Sequence, residues 1–418
     1  MIRRGHSENI IVGLDVGTTK ICTVVGEVVS GTLAFRSMHI SSSKGMRKGA
    51  VVNMEETVQS VRNALKEAES SFGVEINSVY VSISGAHVKG SHNFGAAGIG
   101  GRDVTYADVD RVLDSAKAVY VPLDREVLHV VPAGYTIDGQ NGIKDPVGMT
   151  GERLEAKVYT VTGAVTSMQN LLKCCEKAGV EVADMVFGPL ASAEAILTDD
   201  ERELGVAVVD IGGGTTDIIL YKDGWPSHAC GLSVGGNHFT NDIAVGLKIP
   251  VTEAERIKKC FGAAAMHMVS NSEQIAIVHS GQERMVLRRH LAEIIQARTD
   301  EFLDLIRKEF LSCSGYDIAS TGVVLTGGGA LLEGLSSMAE AAWGLPVRLG
   351  GPMNIHGVQD MLNNPICSAG AGLVLHGFEA SSERMYSADA VKGVFGKIKD
   401  WAKEILKIKK GGIEYVRN

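Results

Sequence analysis

Two carboxylates on either side of a glycine-rich turn, Asp210 and Asp217, are the residues best suited to chemistry in this chain. The β-branched residues from Val206 predict a buried strand that ends at Asp210, and a second strand is predicted directly after the turn. The turn consists of small and hydroxyl residues: Gly212, Gly213, Gly214, Thr215 and Thr216. Glycines there let backbone N–H groups approach a phosphate, and the two carboxylates suit the hydrated Mg²⁺ that accompanies a nucleotide. The alternative is an ordinary glycine-rich hairpin without a ligand.

The same order of residue types occurs near the start of the chain. An apolar stretch ends at Asp15 and is followed by a short turn and a second apolar stretch. The turn and the residue after it are Gly17, Thr18, Thr19 and Lys20. Asp15 and Asp210 are about one domain length apart along the chain. This repeat predicts two similar domains that each offer one phosphate-binding hairpin to a shared cleft.

Two further glycine elements follow the second hairpin. Gly236 and Asn237 stand just before a helix that is predicted to begin near Phe239, and a glycine pair at a helix start is a candidate anion site. The predicted strand at 323–326 leads into three glycines: Gly327, Gly328 and Gly329. An isolated glycine triplet has little specificity. As a third strand–glycine element, however, it is the candidate for the adenosine side of the same cleft.

The composition excludes several classes of protein. A net charge of −8 argues against wholesale binding of nucleic acid. No apolar run approaches the ~18 residues of a membrane span, and residues 1–9 lack the apolar core of a signal peptide. The seven cysteines include no Cys-x-x-Cys pair, which predicts buried thiols in a reducing cytoplasm.

The elements that must position the glycine turns follow from hydrophobic spacing. Helical periods are predicted for residues 55–71, 166–178 and 288–311, and a strand is predicted for 79–84. The helix predicted at 189–197 consists largely of small residues. We therefore expect another helix to approach it closely.

Residues 84–162 differ in sequence pattern from the segments on either side and predict a small inserted α/β subdomain. Within it, residues 95–101 are rich in glycine and predict a flexible loop, whereas 126–132 and 155–162 predict strands. His129 lies in an apolar strand, where a hydrogen-bonded structural histidine is expected rather than a ligand.

The end of the chain has a composition of its own. Residues 379–390 are polar and predict a flexible linker. Residues 391–410 keep apolar side chains at helical spacing and contain seven lysines against two carboxylates. The apolar side chains expected to enter a membrane are Phe395, Ile398, Trp401 and Ile405. This pattern predicts a helix that lies in the interface of an anionic membrane rather than across it.

The three glycine elements, in this order, resemble those of the actin, sugar kinase and heat-shock chaperone ATPase superfamily. Further stretches resemble the FtsA family of bacterial actin-like division proteins: 45–49 (GMRKG), 79–87 (VYVSISGAH), 144–148 (KDPVG), 190–192 (LAS), 200–204 (DEREL) and the basic tail. The resemblance covers essentially the whole chain. It implies an α/β, actin-like two-domain ATPase fold with a nucleotide cleft between the domains, an inserted subdomain and a C-terminal amphipathic helix.

The resemblance also implies ligands and partners. It implies ATP and Mg²⁺ binding, self-polymerisation at the division septum on the cytoplasmic face of the cell membrane, anchoring of FtsZ there, and recruitment of later division proteins. At most slow ATP hydrolysis is expected.

Site residues carry over position by position from the family. The nucleotide residues implied are Asp15, Gly17, Thr18, Thr19, Lys20, Asp210, Gly212, Gly213, Gly214, Thr215, Thr216, Gly236, Asn237, Glu255, Lys258, Gly327, Gly328 and Gly329. Asp15 and Asp210 are expected to hold Mg²⁺ through water, and Glu194 resembles the water-positioning acid of chaperone ATPases. Arg284 and Arg298 are the candidates for a basic patch that holds the C-terminal peptide of FtsZ.

The family organisation divides the chain into ten ranges. These are 1–83, 163–200 and 361–378 for subdomain 1A, 84–162 for the inserted subdomain 1C, 201–245 with 318–360 for subdomain 2A, 246–317 for subdomain 2B, 379–390 for the linker, 391–410 for the membrane helix and 411–418 for a tail.

Two other functions are compatible with the fold. One is a pilus-type actin-like scaffold, which lacks the FtsZ partner. The other is a small-molecule kinase of the same superfamily, which needs a base for the acceptor hydroxyl and a closed substrate pocket. A kinase gains nothing from a basic amphipathic tail, so the tail favours an adaptor.

Overall fold

The computed structural model describes residues 9–118, 121–279, 281–313, 317, 319–353, 355, 357 and 363–389. The strands are β1 Ile10–Val16, β2 Lys20–Val29, β3 Thr32–Ser42, β4 Met46–Arg47, β5 Ala50–Val51, β6 Ser78–Ile83, β7 Lys89–Asp103, β8 Arg125–Ile137, β9 Gln140–Ile143, β10 Thr150–Ala164, β11 Glu181–Phe187, β12 Val206–Ile211, β13 Thr216–Lys222, β14 Trp225–Leu232, β15 Gln274–His279, β16 Gln282–Leu287, β17 Val323–Thr326 and β18 Val347–Leu349.

The α-helices are α1 Met54–Phe72, α2 Tyr106–Lys117, α3 Val165–Ala178, α4 Gly188–Ile196, α5 Asp199–Leu204, α6 Gly236–Leu247, α7 Val251–Phe261, α8 Arg288–Ser312, α9 Leu335–Trp343 and α10 Ser368–Asp389. Short 3₁₀ helices are Met266–Met268, Gly328–Leu331 and Pro365–Cys367. The helices predicted from hydrophobic spacing are confirmed as α1, α3 and α8.

Two sheets repeat one strand order, which confirms the prediction of two similar domains. The first sheet has the order β11-β6-β1-β2-β3, and the second begins β18-β17-β12-β13-β14. In each, an antiparallel hairpin carries the glycine turn, and the neighbouring strand (β6 or β17) lies parallel to the first strand of that hairpin. Both turns therefore lie at the carboxyl ends of parallel strands, where ligands of α/β sheets bind.

The inserted subdomain extends the second sheet. Strands β7, β10, β8 and β9 follow β14 in one nine-stranded sheet, joined to it by the pair Cys230 and Lys89. Helix α2 packs on these strands around a separate apolar core that includes Val112, Leu113 and Leu154. The insertion thus has its own core, although its sheet is continuous with that of the second domain.

The expected flexible loop at 95–101 is wrong, because these residues lie within strand β7. The glycines serve close packing instead of flexibility. A Cβ on Gly95 would lie 2.5 Å from the backbone nitrogen of Ala116 in α2. A strand glycine of this kind marks a close backbone approach.

Helices α4 and α10 cross between the two domains. Their contacts join the two sheets in one apolar core that includes Ala191, Leu373 and Val374. A Cβ on Gly372 would overlap the backbone carbonyl of Ala191. The expectation that a second helix approaches the small-residue helix closely is confirmed.

The linker predicted at 379–390 is wrong in its first part, because α10 continues as a helix to Asp389. Glutamate, alanine, arginine and methionine in this stretch are good helix formers, and a polar stretch of such residues can extend a packed helix. The predicted membrane helix 391–410, with Phe395, Ile398, Trp401 and Ile405, lies outside the described residues, as does the tail 411–418. No helix among the described residues is long and apolar enough to cross a bilayer.

Candidate functional site

The two glycine turns meet at one cavity of about 530 Å³ between the domains. This volume lies within the range of ~300–1,000 Å³ that is usual for small-molecule sites. Most of the sequence-predicted nucleotide residues line it: Asp15, Gly17, Thr18, Thr19, Lys20, Asp210, Gly212, Gly213, Gly214, Thr215, Gly236, Asn237, Glu255, Lys258, Gly327, Gly328 and Gly329. Thr216 lies just behind the turn, where it is buried and its hydroxyl donates to the carbonyl oxygen of Val234.

The first hairpin places a carboxylate and an ammonium side by side. Asp15 Oδ1 accepts a hydrogen bond of 2.6 Å from Ser82 Oγ, and Asp15 Oδ2 lies 3.2 Å from Lys20 Nζ. Lys20 Nζ also donates to the carbonyl oxygen of Ile366 at 2.7 Å. Burial by itself lowers the pKa of Lys20, but the negative charges of Asp15 and Asp210 outweigh it and leave that pKa raised. Lys20 is therefore a fixed cation at the cavity.

The second hairpin places another half-buried carboxylate, Asp210, at the cavity. Asp210 Oδ2 accepts a hydrogen bond of 2.8 Å from Ser192 Oγ of α4. Burial raises the pKa of Asp210 to about 6, and the nearby Asp15 adds to the rise, while Ser192 and Lys20 oppose it. A Cβ on Gly327 would overlap Asp210 Oδ1, and the φ of +81° at this residue also favours glycine. The ionised form of Asp210 lacks full compensation, which makes it a suitable partner for a cation.

Asp217 of the second hairpin also lines the cavity. Its Oδ1 accepts the backbone N–H of Gly85 at 2.7 Å, and its side chain is buried. Burial raises the pKa of Asp217 to about 7, although the Gly85 bond opposes the rise. The contact ties the second hairpin to the segment that enters the inserted subdomain. The expectation that Asp217 pairs with Asp210 around a cation gains no support from this geometry.

The tips of the two turns touch each other. A Cβ on Gly213 would lie 2.5 Å from the side chain of Thr19, and one on Gly214 would lie 2.6 Å from Thr18 Oγ1. The glycines of one domain therefore accommodate the threonines of the other. Any larger residue there would push the domains apart.

Helix α6 begins at Gly236, three residues earlier than predicted. Its first backbone amides are engaged: Gly236 N–H donates to the carbonyl oxygen of Gly212 at 3.0 Å, and Asn237 N–H donates to that of Gly213 at 2.7 Å. These two amides are therefore already engaged, although Gly236 and Asn237 both line the cavity. The start of α6 thus supports the second glycine turn through these two hydrogen bonds.

Glu255 and Lys258 form the wall of the cavity on α7. Lys258 Nζ lies 2.7 Å from Glu255 Oε2, and it donates to Thr240 Oγ1 at 2.8 Å and to the carbonyl oxygen of Gly236 at 3.1 Å. Burial lowers the pKa of Lys258, although Glu255 opposes the shift. This charged pair offers both a donor and an acceptor, which suits the hydroxyls of a sugar.

Comparison with known proteins identifies the family. The family model "Cell division protein FtsA" matches residues 207–372, and the model "SHS2 domain inserted in FTSA" matches residues 85–162. The chain is 42% identical to the cell division protein FtsA of Pseudomonas aeruginosa over 409 residues, which covers 95% of this chain and 98% of the relative. It is 38% identical to that of Escherichia coli K12 over 413 residues, which covers 96% and 98%.

The chain belongs to the FtsA family of cell division proteins. Solved structures confirm the actin-like fold expected for an FtsA protein. The PilM-PilN type IV pilus biogenesis complex matches with a TM-score of 0.64 at 16% identity, covering 88% of this chain and 98% of that chain. The MreB 5 protein of Spiroplasma citri bound to AMPPNP matches with a TM-score of 0.54 at 16% identity, covering 92% and 100%. The likeness to the pilus biogenesis complex shows the fold alone, whereas the sequence relatives show membership of the FtsA family. This membership decides against the pilus scaffold and the small-molecule kinase.

Glu194 does not take the position expected of a water-positioning acid. It is absent from the described residues that line the FtsA cavity, and its Oε1 lies 3.9 Å from Nδ1 of His376. On α4, Glu194 is two residues beyond Ser192, which contacts Asp210, so the two side chains point to nearly opposite sides of the helix. The geometry thus gives no support to the expectation for Glu194, which stays a prediction.

The two candidate arginines lie in the subdomain expected for FtsZ but differ in their partners. Arg284 on β16 is exposed and donates to the carbonyl oxygen of Leu247 at 3.3 Å. Arg298 on α8 makes a two-pronged ion pair with Asp242 and lies 2.7 Å from Glu301 Oε2. The charge of Arg298 is thus largely neutralised within this FtsA protein.

Sequence reasoning missed the roles of two serines, Ser82 and Ser192, which hold the carboxylates of the cleft. Ser82 had a signal, because β6 lies parallel to β1 and a serine near the end of an apolar strand reaches the same edge as Asp15. Ser192 sits in a helix of small residues, where no spacing distinguishes a ligand from a packing residue.

Proposed function

We propose that this FtsA protein is an ATP-dependent adaptor that polymerises on the cytoplasmic face of the cell membrane at the division septum. It holds FtsZ there through its second domain and its C-terminal helix, and recruits later division proteins. The observation that carries the nucleotide part is the meeting of Asp15 and Asp210, one from each domain, at a single cavity.

The cavity suits Mg²⁺-ATP in both charge and shape. Turn residues from both domains line the cavity with Lys20, a fixed cation, and would surround the phosphates. Gly327 and Glu255 also line it and would contact the adenosine. The buried, incompletely compensated Asp210 fits a hydrated Mg²⁺, which usually binds through few carboxylates and keeps several waters. Bound Mg²⁺ would neutralise phosphate charge, with Asp15 and Asp210 holding its waters.

ATP acts mainly as a conformational ligand in this proposal. The two domains touch through the glycine and threonine turns, so a nucleotide that contacts both turns favours one closed arrangement. Glu194 faces His376 instead of the cavity, which removes the expected water-positioning acid. Hydrolysis is therefore slow, well below the ~10 s⁻¹ of a typical enzyme.

Calorimetry with Mg²⁺-ATP tests the nucleotide site. Asp210→Asn removes the buried charge and is expected to weaken binding at least about tenfold, equivalent to ~1.4 kcal/mol. Asp223→Asn is the matched control, because Asp223 is an exposed aspartate beyond the hairpin and asparagine tolerates its φ of +55°. Equal ATP affinity in Asp210→Asn and the unsubstituted protein would reject the site.

Vesicle sedimentation tests membrane attachment. The seven lysines of residues 391–410 each contribute about 1 kcal/mol near an anionic leaflet, and the apolar side chains add burial. For a single tail, the entropy lost on association offsets most of this binding free energy. A filament that presents many tails therefore binds much more tightly by avidity. The full chain with ATP should pellet with anionic vesicles, and the chain ending at Asp389 should stay in the supernatant. Equal pelleting of both would exclude the tail as the anchor.

Fluorescence anisotropy with the acidic C-terminal peptide of FtsZ tests the partner surface. Arg284 is the less neutralised of the two candidates, so Arg284→Glu should weaken binding more than Arg298→Glu does. The weakening should diminish at high salt, because exposed charge pairs are screened. Arg36→Glu, in the first domain, controls for the general charge change. Unaltered peptide binding in both arginine variants would place the FtsZ site elsewhere.

A further inference from the structure

Three side chains of different metal-binding types converge outside the nucleotide cleft. His228 and Cys230 lie on β14, and Glu309 lies on α8. The His228 Nε2 and Glu309 Oε1 atoms are 2.9 Å apart, and all three ligand atoms lie within 4.8 Å of one another. Each residue is half-buried.

The local structure explains why these side chains meet. Residues 228 and 230 are two apart on a strand, so both point to the same face of the sheet. Helix α8 packs on that face, since Cys230 borders the apolar core that contains Phe310 of α8. Cys313 lies one turn beyond Glu309, and its Sγ donates to the Glu309 carbonyl oxygen at 3.1 Å.

An ordinary ion pair would need only the histidine and the glutamate. The Cys230 thiol, within 4.8 Å of the ligand atoms of both, adds a soft donor. A nitrogen, a sulfur and an oxygen donor together suit Zn²⁺, whereas Mg²⁺ prefers oxygen ligands alone.

We propose that His228 Nε2, Cys230 Sγ and Glu309 Oε1 bind one zinc ion, with water in the fourth position. Tetrahedral zinc at ~2.0–2.3 Å from its ligands needs neighbouring donors somewhat more than 3 Å apart. The present separations, 2.9 Å between His228 Nε2 and Glu309 Oε1 and at most 4.8 Å for any pair, lie on either side of this value. Binding releases the Cys230 thiol proton to solvent, so the thiolate is formed on the metal.

The place of the site gives it a structural role. Cys230 is also the residue of β14 that pairs with Lys89 of β7, where the sheet of the inserted subdomain joins that of the second domain. Zinc would fasten β14 to α8 at this junction. It would thereby stiffen the attachment of the insertion without touching the nucleotide cleft.

Cobalt spectroscopy on the full chain tests the site. Cobalt(II) is added to chelator-treated protein with a reductant and excess Mg²⁺, so that oxygen-only sites stay filled. We expect one equivalent to bind with the visible bands of tetrahedral cobalt and a near-ultraviolet thiolate charge-transfer band. Cys230→Ser should lose the charge-transfer band, whereas Cys260→Ser, at an exposed cysteine, should keep it. Absence of the band, or its persistence in Cys230→Ser, overturns the proposal.

A second variant keeps the test decisive if Cys230→Ser does not fold. Glu309→Gln preserves side-chain size and can still hydrogen-bond His228, so folding should be retained. It should bind cobalt at least about tenfold more weakly, with an unchanged circular dichroism spectrum. Zinc should also raise the melting temperature of the unsubstituted chain and not that of Glu309→Gln. Equal cobalt affinity, or an equal zinc-induced rise, in the two proteins overturns the proposal.

Discussion

Each of the two cleft carboxylates is held by one serine hydroxyl. Ser82 donates to Asp15 at 2.6 Å, and Ser192 donates to Asp210 at 2.8 Å. A hydrogen bond to the ionised form favours ionisation. Ser192 thus opposes the rise that burial causes in the pKa of Asp210.

Ser192→Ala is expected to weaken Mg²⁺-ATP binding. Loss of the hydrogen bond raises the pKa of Asp210 further, and a bond to a charged group contributes ~1.5–3 kcal/mol. Calorimetry should show an affinity about tenfold lower or more. Ser381→Ala is the control, because the Ser381 hydroxyl donates within its own helix, to the carbonyl oxygen of Phe378. An unchanged affinity in Ser192→Ala would show that this hydroxyl does not support the site.

His376 predicts a pH dependence of stability. Its Nε2 lies 3.3 Å from Asp184 Oδ2, and its Nδ1 lies 3.9 Å from Glu194 Oε1. Burial alone lowers the pKa of His376, but these carboxylates outweigh it and raise the value to about 9. Since the folded pKa exceeds the unfolded value of ~6.5, the stabilisation is complete below pH ~6.5 and is lost as pH rises through about 9.

Urea unfolding at a series of pH values tests this dependence. Unsubstituted protein should lose up to about 3 kcal/mol of unfolding free energy between pH 6.5 and 9.5 relative to His376→Gln. His290→Gln, at an exposed histidine of α8, should follow the unsubstituted protein. Parallel curves for the unsubstituted protein and His376→Gln would contradict the assignment.

The residues of the cleft were predictable to different degrees. The turns repeat a pattern of glycine, threonine and aspartate, and such a repeat is visible in one sequence. The role of Glu194 depends on the rotation of α4, which spacing alone does not fix. The hydrogen bond of Asp217 was not predictable, because its partner, the amide of Gly85, is a backbone group far away along the chain.

At the scale of elements, the close crossing of α4 and α10 requires a glycine at position 372. Gly372→Ala would place a methyl group against the carbonyl of Ala191. Overpacking of this kind costs ~1–3 kcal/mol or more. Chemical denaturation should show a lower midpoint, whereas Gly98→Ala, which meets nothing within 4 Å, should show little change. Equal denaturation midpoints for both variants would mean that the helices can move apart at little cost in free energy.

The packing of α2 on β7 gives a separable prediction. Gly95→Ala would push α2 away from the strand and should destabilise the inserted subdomain. ATP affinity should not change, because Gly95 lies in the separate core region of the insertion. Limited proteolysis should cleave the insertion of the variant faster than that of the unsubstituted protein. Equal cleavage rates would contradict the prediction.

Elements with strong periodicity were predictable, and glycine-rich or polar ones were not. The helix α8 follows its apolar spacing, whereas the glycines of 95–101 were read as a loop although they lie in a strand. Residues 379–390 are polar and predict a linker, although several of them are good helix formers and α10 continues through them to Asp389.

At the scale of the molecule, the position of the insertion is set by its sheet rather than by surface charge. Lys144 of the insertion lies 2.6 Å from Glu203 of α5, with both side chains about half exposed. Exposed pairs contribute ~0–1 kcal/mol. A double-mutant cycle with Lys144→Ala and Glu203→Ala should give a coupling free energy below about 1 kcal/mol. A larger value would make this ion pair a determinant of subdomain position.

The duplication of domains was predictable because both halves repeat one sequence pattern. The insertion was predictable because the sequence pattern changes at 84–162. That its strands continue the sheet of the second domain was not predictable, since the joining pair, Cys230 and Lys89, is distant along the chain and has no pattern of its own.

The insertion enters and leaves the fold through neighbouring strands, because Lys89 pairs with Thr162. Its two ends are therefore about as close as the arms of a hairpin, and a two-residue turn could span them. The subdomain is in this sense a transplantable module: the chain could have acquired it, or could exchange it, without rethreading either domain. The cost of excision is the loss of Tyr159 and Val161 from the core between the domains.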